Sequence, residues 1–412
     1  MEKTEVANSH FENMYTPVKV LPVKTKQIFP TETEGVLVPL AIKNEPVSGQ
    51  DRYIQISPDH KRSLADLSVS KTAWQDEFGN YFDARRYKGN FIPDFSNIKF
   101  VDPSQTDPDI YVIGTENKGY FDQINKASHF LRKNGLPTER AIGCYEINEV
   151  PYRGEIIPIE QAKQKFIDEN KGLNPKQKEY LEKTTFVITE SDLPIHERFS
   201  DLNHVASNEE FKVIMGNVFK YVNSATENGT KSLFPGSQAD NKIFDINKPE
   251  DIKRFFVEYI PKNAGIWLGR FQKLGLSHGF LHSQNWLLTG FAIDLDSVKG
   301  EALGDIKSQE KDYKHDASLT LFSLADLTSI IQKGSQKFGF NITGEEAENM
   351  KVIFATNLIK ERFLNRRGIT NIGFFKNRIL KYARENIFTK PLTRNDIRDS
   401  VWENVVSSIM KK

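Results

Sequence analysis

The stretch His278–Asp296 reads His-Gly-Phe-Leu-His-Ser-Gln-Asn-Trp-Leu-Leu-Thr-Gly-Phe-Ala-Ile-Asp-Leu-Asp, and it leaves the chain few ways to fold. It follows a long helical pattern that stops at Gly275, the residue type that ends helices by turning left-handed. A polar loop then closes on Asn285. Two short apolar runs come next, Trp286–Thr289 and Phe291–Ile293, broken by Gly290. Such runs around one glycine read as a tight hairpin, which returns the chain so that Asp294 arrives beside Asn285. An amide oxygen and a carboxylate at the mouth of a hairpin are hard donors, of the kind Mg²⁺ or Mn²⁺ takes beside nucleotide phosphates. Taken singly, each has a plainer reading: Asn285 ties a turn, and Asp294 and Asp296 cap one.

A chain of 412 residues is long enough for two lobes or domains. Lys+Arg 56 against Asp+Glu 55 gives a formal charge of +1, so no global field points to nucleic acid or an anionic membrane. The 29 phenylalanines favour a packed interior over disorder. The single Cys144 excludes an internal disulfide and a cysteine-based zinc site, and its apolar run, Ala141–Ile147, suits a buried inert thiol. The first residues lack the apolar core of a signal peptide, and no run is long enough to span a bilayer. These features predict a cytoplasmic chain without a membrane span, although signal-independent secretion would leave no mark.

In order, residues 1–30 read as a polar, aperiodic arm, and Gly35–Lys43 and Arg52–Ile56 as short strands. Pro103–Pro108 reads as a boundary loop. Asp109–Gly114 is an expected strand, Tyr120–Asn134 an amphipathic helix stopped by Gly135, and Arg140–Ile147 and Thr184–Thr189 two further strands around a Lys-rich helix, Ile159–Lys183. Ser207-Asn-Glu-Glu210 is a capping box opening a helix over Glu209–Val222. Glu250–Leu274 is a long helical pattern that Pro261 should kink or divide. Beyond the hairpin come a charged loop, Val298–Asp312, an apolar helix, Ala317–Gln332, and further helices at Glu345–Arg366, Gly373–Asn386 and Asp396–Met410.

Three passages together resemble the selenoprotein O family, kinase-fold enzymes that bind ATP inverted and transfer AMP to hydroxyl side chains of proteins. Ala127-Ser-His-Phe-Leu-Arg-Lys-Asn-Gly-Leu-Pro-Thr-Glu-Arg-Ala141 is similar to the family's small-lobe helix and its Gly-Ile-Pro-Thr-x-Arg-Ala ending. Arg270-Phe-Gln-Lys-Leu-Gly-Leu-Ser-His-Gly-Phe-Leu-His-Ser-Gln-Asn285, continued to Ile293-Asp294, is similar to its Arg-Trp-Gln-x-x-Gly-x-x-His-Gly-x-x-Asn-x-Asp-Asn loop. His315–Leu327 is similar to its Asn-Gln-Pro helix. The resemblance covers parts of residues 109–330.

The resemblance implies an α+β, two-lobed protein-kinase-like fold. It divides the chain into an N-terminal extension (1–108), a small lobe (109–195), a large lobe (196–335) and a helical C-terminal extension (336–412). It makes Asn285 and Asp294 metal ligands, with Asp296 a candidate second carboxylate, and ATP with Mg²⁺ or Mn²⁺ the cofactor. It also exposes losses. The family's ATP-positioning Lys falls at Ile113, its partner Glu at His129, and its catalytic base at Gln284, whose amide takes no proton at neutral pH. The Asp of ordinary kinases falls at Phe280. His282, in the same loop, is a candidate base or charge stabiliser, with a backbone-bracing role as the alternative. Lys118 is a candidate phosphate contact, with a solvated surface position as the alternative, and Lys43 is a more distant one. His278 fits a brace for the loop.

Two functions follow as expectations. One is a divergent transferase moving AMP or phosphate from ATP to a protein or small-molecule hydroxyl. The other is a catalytically inactive pseudokinase serving as a binding or regulatory scaffold. Neither requires nucleic acid. Competing motifs are thinner. His278 and His282 have zinc-pair spacing, yet Gly279 opposes a helix there and no third ligand is visible. Asp294-Leu-Asp296 fits the Asp-x-Asp of glycosyltransferases without a sugar-nucleotide domain to accompany it. Phe374–Arg384 reads as a basic amphipathic helix, for a partner or for packing on the large lobe.

Overall fold

Thr16–Phe29, which reads as part of a loose arm, is a 14-residue strand in the computed structural model. The structure describes residues 16–41, 53–56, 63–64, 74–89, 94–100, 112 and 115–364 other than 236, 240 and 241. Lysines mask the strand's period of two: buried Val23 and Thr25 alternate with exposed Lys24 and half-buried Lys26. Ile113, Lys43 and the helices expected at 373–386 and 396–410 lie outside the described residues.

The fold is α+β, in two compact units. The first comprises Met1–Lys71, Ala84–Asn125 and Arg140–Leu193, so its sheet takes strands from both sides of position 108. Every ladder in that sheet is antiparallel, and the pairings close on themselves. Thr16–Phe29 pairs with Tyr53–Ile56 at its start and with Arg140–Ile147 at its end. Between them run Ser63–Leu64, Ala84–Lys88 and Phe186–Leu193.

The strand expected at Thr184–Thr189 runs through Leu193 and is buried along its whole length. Its Thr-Glu-Ser-Asp run looks like loop, but the polar side chains have partners. Arg85 Nε meets Asp192 at 2.9 Å and the Tyr145 hydroxyl donates to Glu190 at 2.9 Å. Lys88 pairs with buried Glu116 at 2.9 Å. The single long helix expected at 159–183 is two, Ile159–Glu169 and Pro175–Lys183, parted where Asn174 caps the second and Pro175 begins it. A hairpin precedes them, Glu149–Tyr152 with Glu155–Pro158, turned by Arg153 and Gly154 at φ 50 and 82.

The second unit comprises Thr72–Asp83, Lys126–Glu139 and Pro194–Lys412. Asn208–Ala225 starts where expected, with the Ser207 side chain accepting the Glu210 N–H at 3.2 Å. The expected break at Pro261 takes the form of a π-helical turn, Phe255–Tyr259, between Pro249–Arg254 and Ile260–Lys273. The backbone stays right-handed helical through Arg254, Tyr259 and Ile260, so the chain passes Pro261 by a π turn inside one continuous helical run. Gly265 and Gly269 let the helix Gly344–Ile359 approach: a Cβ on Gly265 would stand 2.4 Å from the Phe354 carbonyl. The helix expected from Ala317 starts earlier, as Glu310–Lys333, and shortens the charged loop, which holds one short turn at Glu301–Leu303.

The hairpin forms as expected. Trp286 and Ala292 bridge, Leu287 N–H donates to Phe291 O at 2.9 Å, and Gly290 turns at φ 80. Its tip rests on the helix Ile260–Lys273, where Asn263 Nδ2 donates to Thr289 O at 3.0 Å. A Cβ at Gly290 would stand 2.8 Å from the Ile260 carbonyl. Gly290→Ala is therefore expected to cost about 2–3 kcal/mol, from left-handed strain plus overpacking. Urea denaturation checks this; a loss under about 0.5 kcal/mol would contradict the packing.

Candidate functional site

The loop between Gly275 and the hairpin forms no regular ladder, so most of its carbonyls need partners from outside it. Every carbonyl from His278 to Gln284 has a partner. The Ser297 hydroxyl donates to His278 O at 2.7 Å, and His315 Nε2 lies 3.1 Å from Gly279 O. Asn285 Nδ2 donates to Phe280 O at 2.9 Å. Leu281 O accepts from the Trp286 indole at 3.2 Å and the Ser323 hydroxyl at 3.0 Å. The Asn285 N–H donates to His282 O and the Ser200 N–H to Ser283 O. Arg198 Nη1 donates to Gln284 O at 2.6 Å. On the donor side, buried Asp316 takes the His278 N–H at 2.8 Å and the Gly279 N–H at 2.7 Å. Burial pushes the Asp316 carboxyl up to about 7. The loop is thus held by its backbone; Phe280 is exposed, Leu281 buried, and His282, Ser283 and Gln284 half-buried.

The hairpin pairs Asn285 with the residue before Asp294: Ile293 N–H donates to Asn285 O at 3.1 Å. With Nδ2 of Asn285 committed to Phe280, its Oδ1 is the atom left to meet a cation. Asp294 has φ 67 and ψ 61, a left-handed conformation that few residues other than glycine adopt. Buried side chains grip the peptide preceding it from both ends. Glu139 Oε1 accepts the Asp294 N–H at 2.7 Å and the Leu295 N–H at 3.2 Å. At the other end His278 Nε2 lies 3.1 Å from Ile293 O. A carbonyl partner requires the proton on Nε2, and burial lowers the ring's pKa, so the imidazole is neutral. His278 is the brace the sequence suggested.

Of the remaining candidates, His282, Gln284 and Asp296 are half-buried beside Asn285 and Asp294 in sequence. His129 is exposed, its ring edge-on to Phe78 at 5.4 Å. Lys118 belongs to the first unit and pairs with Asp122 on its own helix at 2.5 Å. Sequence reasoning passed over three residues that hold this site: Glu139, Asp316 and Arg198. Each acts on backbone atoms, which leaves no spacing to find. Glu139 closes the segment Gly-Leu-Pro-Thr-Glu, whose other residues also dock: the Thr138 hydroxyl donates to Ala292 O and the Trp267 indole to Pro137 O, both at 2.8 Å. Among the described residues no group of three or more His, Cys, Asp or Glu side chains is placed to hold a metal ion.

Beneath the hairpin lies Glu197, whose carbonyl accepts the Leu288 N–H at 2.9 Å. Burial pushes its carboxyl up to about 7 from an ordinary 4.5. The folded protein therefore keeps this proton through the range where the unfolded chain has released it. Its stabilising contribution is complete below about pH 4.5 and is lost as pH rises towards 7. Glu197→Gln should gain on wild type by up to about 1.4 kcal/mol per pH unit across that window. Parallel stability profiles from urea melts would rule this out.

The amino-acid sequence matches no family model and no curated protein.

Proposed function

We propose that this chain is a nucleotide-dependent transferase of the selenoprotein O type on a two-lobed kinase-like fold. It takes ATP with Mg²⁺ or Mn²⁺ and moves AMP or phosphate to a protein or small-molecule hydroxyl. The observation that carries this reading is the loop His278–Gln284, every carbonyl of which is bonded, ending in Asn285 paired to Ile293. Phosphoryl and nucleotidyl transfer depend mostly on positioning and electrostatic stabilisation, and a loop fixed in advance needs little reorganisation. Asn285 and Asp294 would hold the metal, with Asp296 as a further carboxylate. Oxygen donors this few fit Mg²⁺, which completes its shell with phosphate and water. Bound there, the metal would neutralise phosphate charge. His282 is the side chain for receiving the hydroxyl proton or facing a phosphate, and Gln284 orients by hydrogen bonding alone.

The scaffold reading has two observations in its favour. The loop carries no carboxylate, and Phe280, at the position of the ordinary kinase Asp, is 46% exposed. Thermal-shift titration with ATP, with and without Mg²⁺ and Mn²⁺, tests nucleotide binding; transfer from ATP labelled at the α or γ phosphate then separates the two functions. Metal-dependent stabilisation with labelled acceptor supports the transferase, and stabilisation without any label supports the scaffold. No stabilisation under any condition removes the nucleotide from both.

A further inference from the structure

Among the described residues, the other non-glycine positions at positive φ are Arg153, Glu227 and Asn228, all exposed in turns. Asp294 differs. It is followed by the short turn Leu295–Ser297, and its own N–H and that of Leu295 converge on one carboxylate oxygen of Glu139, a residue 155 positions away and 0% exposed. Glu139 is itself fixed, because the two residues before it are docked on Trp267 and on the hairpin carbonyl of Ala292. The carboxylate is thus presented by a rigid strip of backbone, not by a flexible surface residue.

We infer that Glu139 is a positioning residue for the metal-binding carboxylate: by accepting both N–H groups it holds Asp294 in the left-handed conformation from which its side chain meets the cation. The inference rests on the reading of Asp294 as a ligand of the nucleotide-bound metal. A residue that merely caps the turn at 295–297 would support the fold without favouring the metal-bound state. The two roles differ in what they predict for binding with and without metal.

The test is calorimetric titration of ATP into the full chain, once with Mn²⁺ and once in EDTA, for wild type, Glu139→Ala and Glu139→Gln. Hydrogen exchange at the Asp294 and Leu295 amides is followed alongside. Glu139→Ala should weaken Mn²⁺-dependent ATP binding by about 10- to 100-fold, the usual effect of losing a partner that orients a metal ligand. It should leave binding in EDTA within about twofold and speed exchange at both amides at least about tenfold. Glu139→Gln, whose amide oxygen still accepts both N–H groups, should recover the Mn²⁺-dependent affinity to within about threefold. Should the alanine variant fail to fold, Glu139→Asp keeps the charge while drawing the oxygens back by one methylene, and is expected to behave as alanine does. Equal weakening with Mn²⁺ and in EDTA, or no weakening, would overturn the assignment while leaving the nucleotide reading in place. Absence of Mn²⁺-dependent binding in wild type itself would overturn the nucleotide reading, and Glu139's role with it.

Discussion

On the proposed reading, Asp294→Ala should abolish the metal-dependent stabilisation by ATP. A ligand selective for the folded state at a hundredfold excess over its Kd adds about 2.7 kcal/mol, and for a unit of this size that is a rise of roughly 5–10 °C in Tm. The carboxylate is the charged partner of the hairpin pair, and Asn285 offers only a neutral oxygen. Without Asp294 the proposed site keeps only the neutral Asn285 oxygen and Asp296 as ligands, since Glu139 is engaged with the backbone, so the Mg²⁺ and Mn²⁺ curves should fall on the metal-free one. The variant should fold, because the Asp294 backbone bond to Glu139 does not require the side chain. Alanine lacks the polar side chain that eases aspartate into the left-handed region, so the unliganded variant should be less stable by about 1–2 kcal/mol, far short of unfolding. A variant that keeps the full metal-dependent shift would remove Asp294 from the metal site.

Asp316→Ala should be the most destabilising single change in the loop region. Its carboxylate is 0% exposed and is the acceptor of two backbone donors, the His278 and Gly279 N–H groups. Leaving each buried donor without an acceptor costs about 1–3 kcal/mol, so the pair together should cost about 3–5 kcal/mol. Asp316→Asn should be intermediate: its amide has one acceptor oxygen and turns an NH₂ towards the second donor. Chemical denaturation at about pH 8.5, where the Asp316 carboxyl is ionised, measures both. A loss under about 1 kcal/mol for the alanine variant would mean that the loop re-pairs its backbone in another way. The same variants bear on function, since a loop freed at Gly279, whose φ is 87, no longer fixes the approach to Asn285.

The features legible in the sequence were those written in local sterics. Gly275 turns left-handed at φ 79 and ends its helix, Ser207 caps the start of Asn208–Ala225, and Pro261 comes directly after a π-helical turn. The hairpin around Gly290 puts Asn285 beside Ile293 because a two-strand turn allows no other return. Period and turn chemistry act over a few residues, so the residues that cause them lie side by side in the chain. Tertiary structure decided the rest. The strand Thr16–Phe29 is made by partners at Thr33–Ala41, Tyr53–Ile56 and Arg140–Ile147, and its own lysines obscure it. The polar run Thr189–Asp192 is a buried strand only because Arg85 and Tyr145 reach it from neighbouring strands. Glu139, Asp316 and Arg198 could be found only in three dimensions. Each bonds to a peptide N–H or C=O, groups that all but proline carry alike, so no residue type at the far end marks where such a side chain will dock.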